Sequence, residues 1–183
     1  MIKEHYLQNA THYASPHYDA RPEAETISLL VIHCISLPEG QYGTPYVKDL
    51  FLGTLDTSAG SGFEALDGLR VSAHLVIRRD GQIEQYVPFD QRAWHAGQSC
   101  YGGRQRCNDY SIGIELEGTD KQPYTAAQYQ QLITVTQLLM AQYPALTHDR
   151  IVGHQHIAPD RKTDPGEGFD WAYYLTQLQT NNK

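Results

Sequence analysis

The sequence has little cysteine. Only 3 of its 183 residues are cysteines, namely Cys34, Cys100 and Cys107. Their number is odd and no two of them have the C-x-x-C spacing, so neither a disulfide framework nor a thiolate zinc cluster is indicated. This pattern favours a protein that works in a reducing compartment.

Long apolar runs are also missing. No window of the sequence approaches the ~20 apolar residues that a membrane span requires. The N-terminal stretch MIKEHYLQNATHYASPHYDARPEAE lacks the apolar core of a secretory signal. We therefore expect a cytoplasmic protein that has no membrane partner.

Positive charge is scarcer than negative charge. The chain carries 14 Lys and Arg residues against 21 Asp and Glu residues, which gives a formal charge of -7 at pH 7. Nucleic acids and anionic membranes are bound through basic surfaces that neutralise phosphates. The charge balance argues against a nucleic-acid partner and favours a small substrate or a neutral polymer.

The remaining composition is typical of a globular protein, with 40% hydrophobic and 19% charged residues. A chain of this length can bury its own core, since domains usually contain about 100–150 residues. No internal repeat or low-complexity tract is present. We expect a single domain over residues 1–183.

Three segments have the pattern of strands. The apolar run Ile27–His33 is typical of a strand that is buried on both faces. Residues 71–88 predict a β-hairpin that turns at Asp80 and Gly81, because glycine tolerates the positive φ of a tight turn. Residues 110–118 alternate apolar and polar side chains, which predicts a strand with one face directed inward.

Helical spacing appears in three further segments. A short helix is predicted within Thr44–Gly53, and the main amphipathic helix starts at an N-cap candidate, Thr125, and stops at Pro144. A shorter helix is predicted over Phe169–Thr180, whereas residues 91–109 have the composition of a long irregular loop. The mixture predicts an α/β fold with a central mixed β-sheet flanked by helices.

Nine histidines divide into two groups. Those in polar N-terminal or loop segments are expected to be exposed: His5, His12, His17 and His148. Those next to apolar runs or in the glycine-rich loop are better placed for a site: His33, His74, His95, His154 and His156.

His33 and His154 each follow a short apolar strand. Together with Asp164 they offer two imidazoles and one carboxylate, and three protein ligands with an open fourth position are typical of catalytic zinc. For His33 alone, a hydrogen-bonded histidine of the core is the more common case. The spacing of these residues leaves the metal site and the structural alternative equally open.

Glu115 and Lys162 add chemistry to this set. Glu115 shares a strand face with Ser111 and Glu117 and could act as a general base, unless it is simply an exposed glutamate. Lys162 lies between His154 and Asp164 and could stabilise an oxyanion, unless it is a solvated loop cation. A Cys34–His33 nucleophilic pair is disfavoured, because adjacent strand residues point to opposite faces.

Several long motifs resemble one known family. The segments VIHCISLP, RVSAHLVIRRDGQIEQYVPFDQRAWHAG, RCNDYSIGIELEGTD and GHQHIAPDRKTDPG are similar to those of the AmpD family, the anhydro-N-acetylmuramyl-L-alanine amidases. The resemblance extends from SPHYDARP to FDWAYY. It implies the amidase fold shared with peptidoglycan recognition proteins.

The resemblance also implies roles for particular residues. It implies Zn²⁺ as the cofactor, Glu115 as the general base, Lys162 as the oxyanion stabiliser, and Cys34 at a substrate-contact position that is asparagine in close members. A thiol cannot reproduce the paired donor and acceptor of an amide, so we expect a shift in substrate affinity. The implied zinc ligands are His33, His154 and Asp164, and the implied substrate-binding residues are Arg70, Trp94 and Arg106.

The implied reaction is hydrolysis of the amide between the lactyl group of (anhydro-)N-acetylmuramic acid and L-alanine of the stem peptide. Its setting would be peptidoglycan recycling in the bacterial cytoplasm, with an anhydromuropeptide as substrate. Two alternatives remain: an exported amidase that acts on intact cell wall, and a peptidoglycan-binding module without catalysis. The lack of a signal counts against the first, and the complete ligand set counts against the second.

Overall fold

Short aliphatic and β-branched runs form the strands of a mixed α/β structure. The computed structural model describes residues 1–180. The strands in this range are β1 (Ile2–Lys3), β2 (Tyr6–Leu7), β3 (Thr11–His12), β4 (Tyr18–Ala20), β5 (Leu29–Ile35), β6 (Leu75–Ile77), β7 (Ile83–Gln85), β8 (Gln91–Ala93), β9 (Cys100–Tyr101), β10 (Arg104–Gln105), β11 (Ser111–Glu117) and β12 (Ile151–Gly153). The helices are α1 (Tyr46–Leu52), α2 (Ala126–Gln142), α3 (His154–Ile157) and α4 (Trp171–Thr180).

Six of the strands form the central sheet, in the order β12-β5-β11-β6-β7-β3. The four strands from β12 to β6 run parallel to one another, β6 and β7 form an antiparallel hairpin, and β3 lies parallel to β7. This arrangement confirms the predicted mixed sheet and the hairpin at Asp80 and Gly81. The other six strands pair in short two-stranded ribbons at the periphery.

The two faces of the sheet have different coverings. The even-numbered side chains of β5 and β11 pack in a cluster with α2 and α4, where Leu132, Leu139 and Tyr174 are fully buried. The odd-numbered side chains lie on the opposite face, against α1 and the long loops. This second face carries His33 and Glu115.

Two strand predictions need correction. β5 begins at Leu29 and continues to Ile35, so His33 lies inside the strand and does not close it. Every residue of β11 is buried, so the prediction that only one face points inward is wrong. The polar side chains of β11 are covered by loops that pack on them, and a local alternation of apolar and polar residues does not reveal such long-range cover.

Three of the four helices are close to the predicted ones, whereas α3 was not predicted. α1 ends at Gly53, whose left-handed backbone (φ 69°) caps the helix, and α4 lies within its predicted segment. Thr125 caps α2 as predicted, and its side chain accepts a hydrogen bond from the backbone N–H of Gln128. The Gln128 side-chain oxygen accepts from the Thr125 N–H, which completes a capping box, and the Gln128 amide nitrogen donates to the carbonyls of Ile77 and Glu117.

Two predictions about the loops are also wrong. His17 was expected to be exposed, but it is buried, because its imidazole packs beside Gly53 and the backbone of Val71. The segment at 91–109 is not irregular throughout, since it contains β8, β9, β10 and a 3₁₀ turn at Cys107–Asp109.

In residues 1–180, no helix combines the length and the apolar composition that crossing a membrane requires.

Replacing Thr125 with alanine will destabilise the fold, because the N–H of Gln128 loses its capping acceptor and Arg79 loses a donor to its carbonyl. We expect the free energy of unfolding to fall by about 1 kcal/mol in a urea titration. Thr134→Ala, an exposed site in the same helix, is the control and should leave stability unchanged or slightly raised. Equal effects of the two changes would contradict the capping role.

Candidate active site

The parallel register brings the chemistry-bearing residues to neighbouring positions. Glu115 of β11 pairs directly with His33 of β5, and Gly153 of β12 pairs with Ile32. Paired residues in parallel strands point to the same face, with strands about 4.8 Å apart. His154, which directly follows Gly153, therefore lies beside His33 on the side away from Glu115.

Asp164 reaches this cluster from a tightly docked loop. The backbone N–H of Gln155 donates to the Asp164 carbonyl at 2.9 Å, and the Gln155 side chain accepts from the Gly166 N–H at 3.1 Å. Gly166 has a φ of 80°, and a Cβ added there would lie 2.0 Å from the backbone oxygen of Asp120. Only glycine fits this contact, which holds the loop and the Asp164 carboxylate in place.

Three ligand atoms form a nearly equilateral triangle. His33 Nδ1 lies 3.0 Å from His154 Nδ1 and 3.0 Å from Asp164 Oδ2, and the third side measures 3.2 Å. Zinc ligands stand about 2.0–2.2 Å from the metal, so tetrahedral ligand atoms are roughly 3.3 Å apart. The triangle therefore fits three ligands of a tetrahedrally coordinated cation, and these residues form a candidate metal site.

The protonation states suit metal ligands. Burial lowers the pKa of His33 to about 4, so the imidazole is neutral near pH 7 and can offer a lone pair. Burial alone would raise the pKa of the Asp164 carboxyl, but hydrogen bonds from His154 and His33 hold it well below its usual range. The site therefore combines a neutral imidazole with an ionised carboxylate.

Glu115 is a buried carboxyl group without a full set of partners. It is 8% exposed, and its Oε1 lies 4.0 Å from His33 Nδ1. Its Oε2 accepts no hydrogen bond from any residue in the described part of the chain. Burial and the nearby charge of Asp164 raise the pKa of Glu115 well above its ordinary value, and Lys162 opposes this shift. A carboxyl group of this kind is poised for proton transfer.

The site opens into a cleft of about 440 Å³. Its lining includes polar residues, among them Glu115, Lys162 and the residues of the candidate metal site. It also includes apolar side chains, among them Leu37, Phe51, Leu66, Leu69 and Val71. The cleft can thus bind an amphipathic molecule and expose one of its bonds to the metal site.

Comparison with known proteins identifies the family. The family model described as N-acetylmuramoyl-L-alanine amidase matches residues 23–167. The chain belongs to this family. The amidase is 54% identical over 182 residues to the 1,6-anhydro-N-acetylmuramyl-L-alanine amidase AmpD of Enterobacter cloacae, a match that covers 100% of this chain and 97% of the relative.

Solved structures agree with this result. The crystal structure of a selenomethionine derivative of AmpD is 57% identical, has a TM-score of 0.95, and the match covers 97% of this chain and 99% of that one. The complex of Escherichia coli AmiD with anhydro-N-acetylmuramic acid-L-Ala-D-γ-Glu-L-Lys is 31% identical with a TM-score of 0.62, over 86% of this chain and 60% of that one. The predicted fold and the resemblance to the AmpD family are confirmed.

The predicted substrate-binding residues of the amidase lie in three places. Trp94 and Cys34 line the cleft. Arg70 borders a smaller neighbouring cavity of about 200 Å³. Arg106 borders another of about 350 Å³ and forms an ion pair with Asp109. The structure does not bring the two arginines to the metal site, and their role in substrate binding stays a prediction.

Cys34 lies on the cleft although the adjacent His33 points to the other face, because the cleft extends over the carboxyl ends of the strands. Burial raises the pKa of the Cys34 thiol to about 12, so almost no thiolate forms near neutral pH. A thiol in this state is a poor nucleophile. This agrees with the expectation that Cys34 and His33 do not form a nucleophilic pair.

Sequence reasoning missed two sets of supporting residues. Asp19 and His17 support Trp94, since Asp19 accepts the indole N–H at 3.0 Å and the His17 ring stacks on the indole at 6.2 Å between centroids. His95, noted in the sequence but given no role, contacts His33 directly. These contacts join segments far apart along the chain, and the glycine-rich surroundings of His95 were the only local signal.

Replacing Glu115 with glutamine will stabilise the metal-free amidase at pH 7. The raised pKa means that the carboxyl binds its proton more tightly in the folded state, so wild type loses stability as the pH rises above the unfolded-state pKa of about 4.3. Below that pH the carboxyl is protonated in both states and the difference should vanish. We expect Glu115→Gln to have a higher free energy of unfolding and a higher Tm than wild type at pH 7.

Thermal denaturation of the metal-free proteins at pH 4 and pH 7 measures this effect. Glu39→Gln is the matched control, because Glu39 is an exposed carboxylate on the same cleft. Its stability should change by no more than about 0.5 kcal/mol. Identical Tm values for wild type and Glu115→Gln at pH 7 would show that burial of Glu115 carries no cost.

Proposed function

We propose that the amidase hydrolyses anhydromuropeptides at the amide that joins the lactyl group of anhydro-N-acetylmuramic acid to L-alanine. The observation that carries the proposal is the candidate metal-ligand triangle beside a buried carboxyl group whose Oε2 has no partner within residues 1–180, on one cleft, in a chain 54% identical to an AmpD amidase. The AmiD complex supports the substrate class, since its title names an anhydro-N-acetylmuramic acid peptide. The reaction would serve peptidoglycan recycling.

The proposed cofactor is zinc, held by His33, His154 and Asp164. Two imidazoles and a carboxylate are a donor set that suits zinc, and the triangle has the corresponding size. When bound, zinc would supply Lewis acidity to the carbonyl and to water. With three protein ligands, the site would keep a position open for chemistry.

Glu115 is the proposed general base and acid. Its ionised form would remove a proton from a water molecule in the cleft, and the water oxygen would add to the lactyl carbonyl carbon. The same carboxyl would then deliver the proton to the L-alanine nitrogen as the C–N bond breaks. The products are the lactyl carboxylic acid and the free amine of the peptide.

Lys162 is the proposed partner of the oxyanion. It lines the same cleft as Glu115, and its positive charge acts to lower the pKa of Glu115 and of His33. An ammonium group in this place can offset the negative charge that develops on the carbonyl oxygen. It also favours the ionised form of Glu115, which the first proton transfer requires.

Substrate binding would use both polar and apolar residues of the cleft. Trp94 offers an aromatic face for a sugar or a peptide, and Cys34 lies at the carboxyl end of β5, near the reacting bond. Arg70 and Arg106 would suit carboxylates of the stem peptide if the substrate extends to the neighbouring cavities. We further propose a cytoplasmic location and a single catalytic domain that includes residues 1–180.

The substrate and the cofactor can be tested together. The purified amidase is incubated with anhydro-N-acetylmuramyl-tripeptide or with intact peptidoglycan, after chelator treatment and after zinc is added back, and products are identified by mass spectrometry. We expect free tripeptide from the soluble substrate only when zinc is present. Cleavage of the intact wall would indicate a lytic amidase, and zinc binding without any cleavage would indicate a binding module.

The role of Lys162 predicts a loss of rate with retained zinc. Lys162→Met preserves most of the side-chain length but removes the charge, so we expect kcat to fall by about 10²–10³-fold. Lys121→Met is the control, because Lys121 is an exposed lysine on an adjoining surface, and its kcat should match wild type. A Lys162→Met variant with normal kcat would remove Lys162 from the proposal.

A further inference from the structure

Both candidate ligand imidazoles turn their second nitrogen toward one short segment. His33 Nε2 lies 2.8 Å from His95 Nδ1, and His154 Nε2 lies 3.0 Å from the Ala96 carbonyl oxygen. The two supporting groups are neighbours in sequence, one a side chain and the other a backbone oxygen. The dipeptide His95–Ala96 therefore contacts both imidazoles at Nε2, the nitrogen that faces away from the candidate metal site.

The direction of these hydrogen bonds follows from metal binding. If Nδ1 of each ligand histidine offers its lone pair to a cation, each neutral ring must carry its proton on Nε2. His33 then donates to His95 Nδ1, and His154 donates to the Ala96 carbonyl. His95 in turn carries its own proton on Nε2 and donates it to Ser111 Oγ, which lies 3.1 Å away.

The dipeptide is itself fixed from two sides. The side-chain oxygen of Asn108 accepts the backbone N–H groups of His95 at 3.2 Å and of Ala96 at 2.8 Å. The His95 ring lies flat against β11 at Gly113, where an added Cβ would be 2.4 Å from the ring. Asn108 thus fixes the backbone of His95 and Ala96, and the missing side chain of Gly113 leaves room for the His95 imidazole.

We propose that His95 and Ala96, anchored by Asn108, are positioning residues that hold the imidazoles of His33 and His154 in the tautomer and orientation a zinc ion requires. This inference rests on the proposed zinc site. It assigns no contact with the reacting atoms to His95. Partners that orient a ligand histidine typically change metal affinity by about 10–100-fold when they are removed.

The first test measures zinc affinity directly, by competition with a chromophoric chelator. His95→Ala removes the acceptor of His33, and we expect the zinc Kd to rise by about 10–100-fold. His95→Asn places an amide oxygen close to the former Nδ1 position, so it should restore most of the affinity. Asn108→Ala leaves every ligand and His95 in the chain, and it should weaken zinc binding in the same direction.

His74→Ala is the matched control. His74 is a second buried imidazole on this face, 5.9 Å from the His95 ring, and its nitrogens bond to the backbone of Gly113 and Gln91. It touches neither candidate ligand histidine, so its zinc Kd should stay within about threefold of wild type. An equal loss in His74→Ala and His95→Ala would overturn the proposal, because the effect would then be general loosening.

Gly113→Ala tests the same idea without changing any polar group. Its Cβ would displace the His95 ring, so zinc binding should weaken although every hydrogen-bonding side chain is still present. If the effect passes through His95, the double variant with His95→Ala will bind zinc no more weakly than His95→Ala alone. Fully additive losses would overturn the proposal. Circular dichroism of the metal-free forms selects the variants that fold.

Nuclear magnetic resonance of the imidazole nitrogens gives a readout that a merely structural role would not produce. In the zinc-loaded amidase, His33, His154 and His95 should all carry their proton on Nε2. A His95 protonated on Nδ1 would overturn the proposed direction of the hydrogen bonds from His33 to His95 and from His95 to Ser111. Failure of wild type to bind zinc would refute the metal site itself, whereas zinc binding unaffected by His95→Ala and Asn108→Ala would refute only the positioning role.

Discussion

The parallel pairing of β5 with its neighbours β11 and β12 is the constraint on which the site depends. It sets His33 directly beside Glu115 and brings His154 to the other side of His33. A shift of one residue in either pairing would send a side chain to the opposite face, where α2 and α4 pack. The apolar even-numbered residues of β5 and β11 oppose such a shift, since it would move them out of the core. The same residues that stabilise the sheet therefore specify the geometry of the site.

The buried polar groups around His33 differ in how many hydrogen-bond partners they have. The imidazoles and the Asp164 carboxylate lie within hydrogen-bonding distance of one another, and the distal nitrogens of both candidate ligand histidines lie within hydrogen-bonding distance of His95 and of the Ala96 carbonyl. Glu115 is the exception, because one of its oxygens lacks a partner among the described residues. Desolvation without compensation costs folding free energy, and it also raises the pKa of the carboxyl group toward the range useful for proton transfer. The same feature that weakens the fold suits Glu115 to its proposed chemistry.

The features that could be predicted from the sequence are those set by neighbouring residues. The hairpin turn at Asp80 and Gly81, the cap at Thr125 and the strand before His154 are all determined by residues within a few positions of one another. The grouping of His33, His154 and Asp164 needed the family motifs, because their spacing left a structural alternative open. The burial of His17 and of both faces of β11 could not be predicted, since loops far along the chain provide the cover.

Three consecutive residues, Trp94, His95 and Ala96, contact both the cleft and the candidate metal site. Trp94 forms part of the cleft wall and is held by Asp19, while the next two residues contact the imidazoles of the candidate metal site. Trp94 and His95 both line the cleft, so the candidate metal site and the proposed binding surface share one short stretch of backbone. Asn108 fixes that backbone through two N–H groups. The proposed orientation of the candidate ligand imidazoles would therefore depend on the same short segment that carries Trp94.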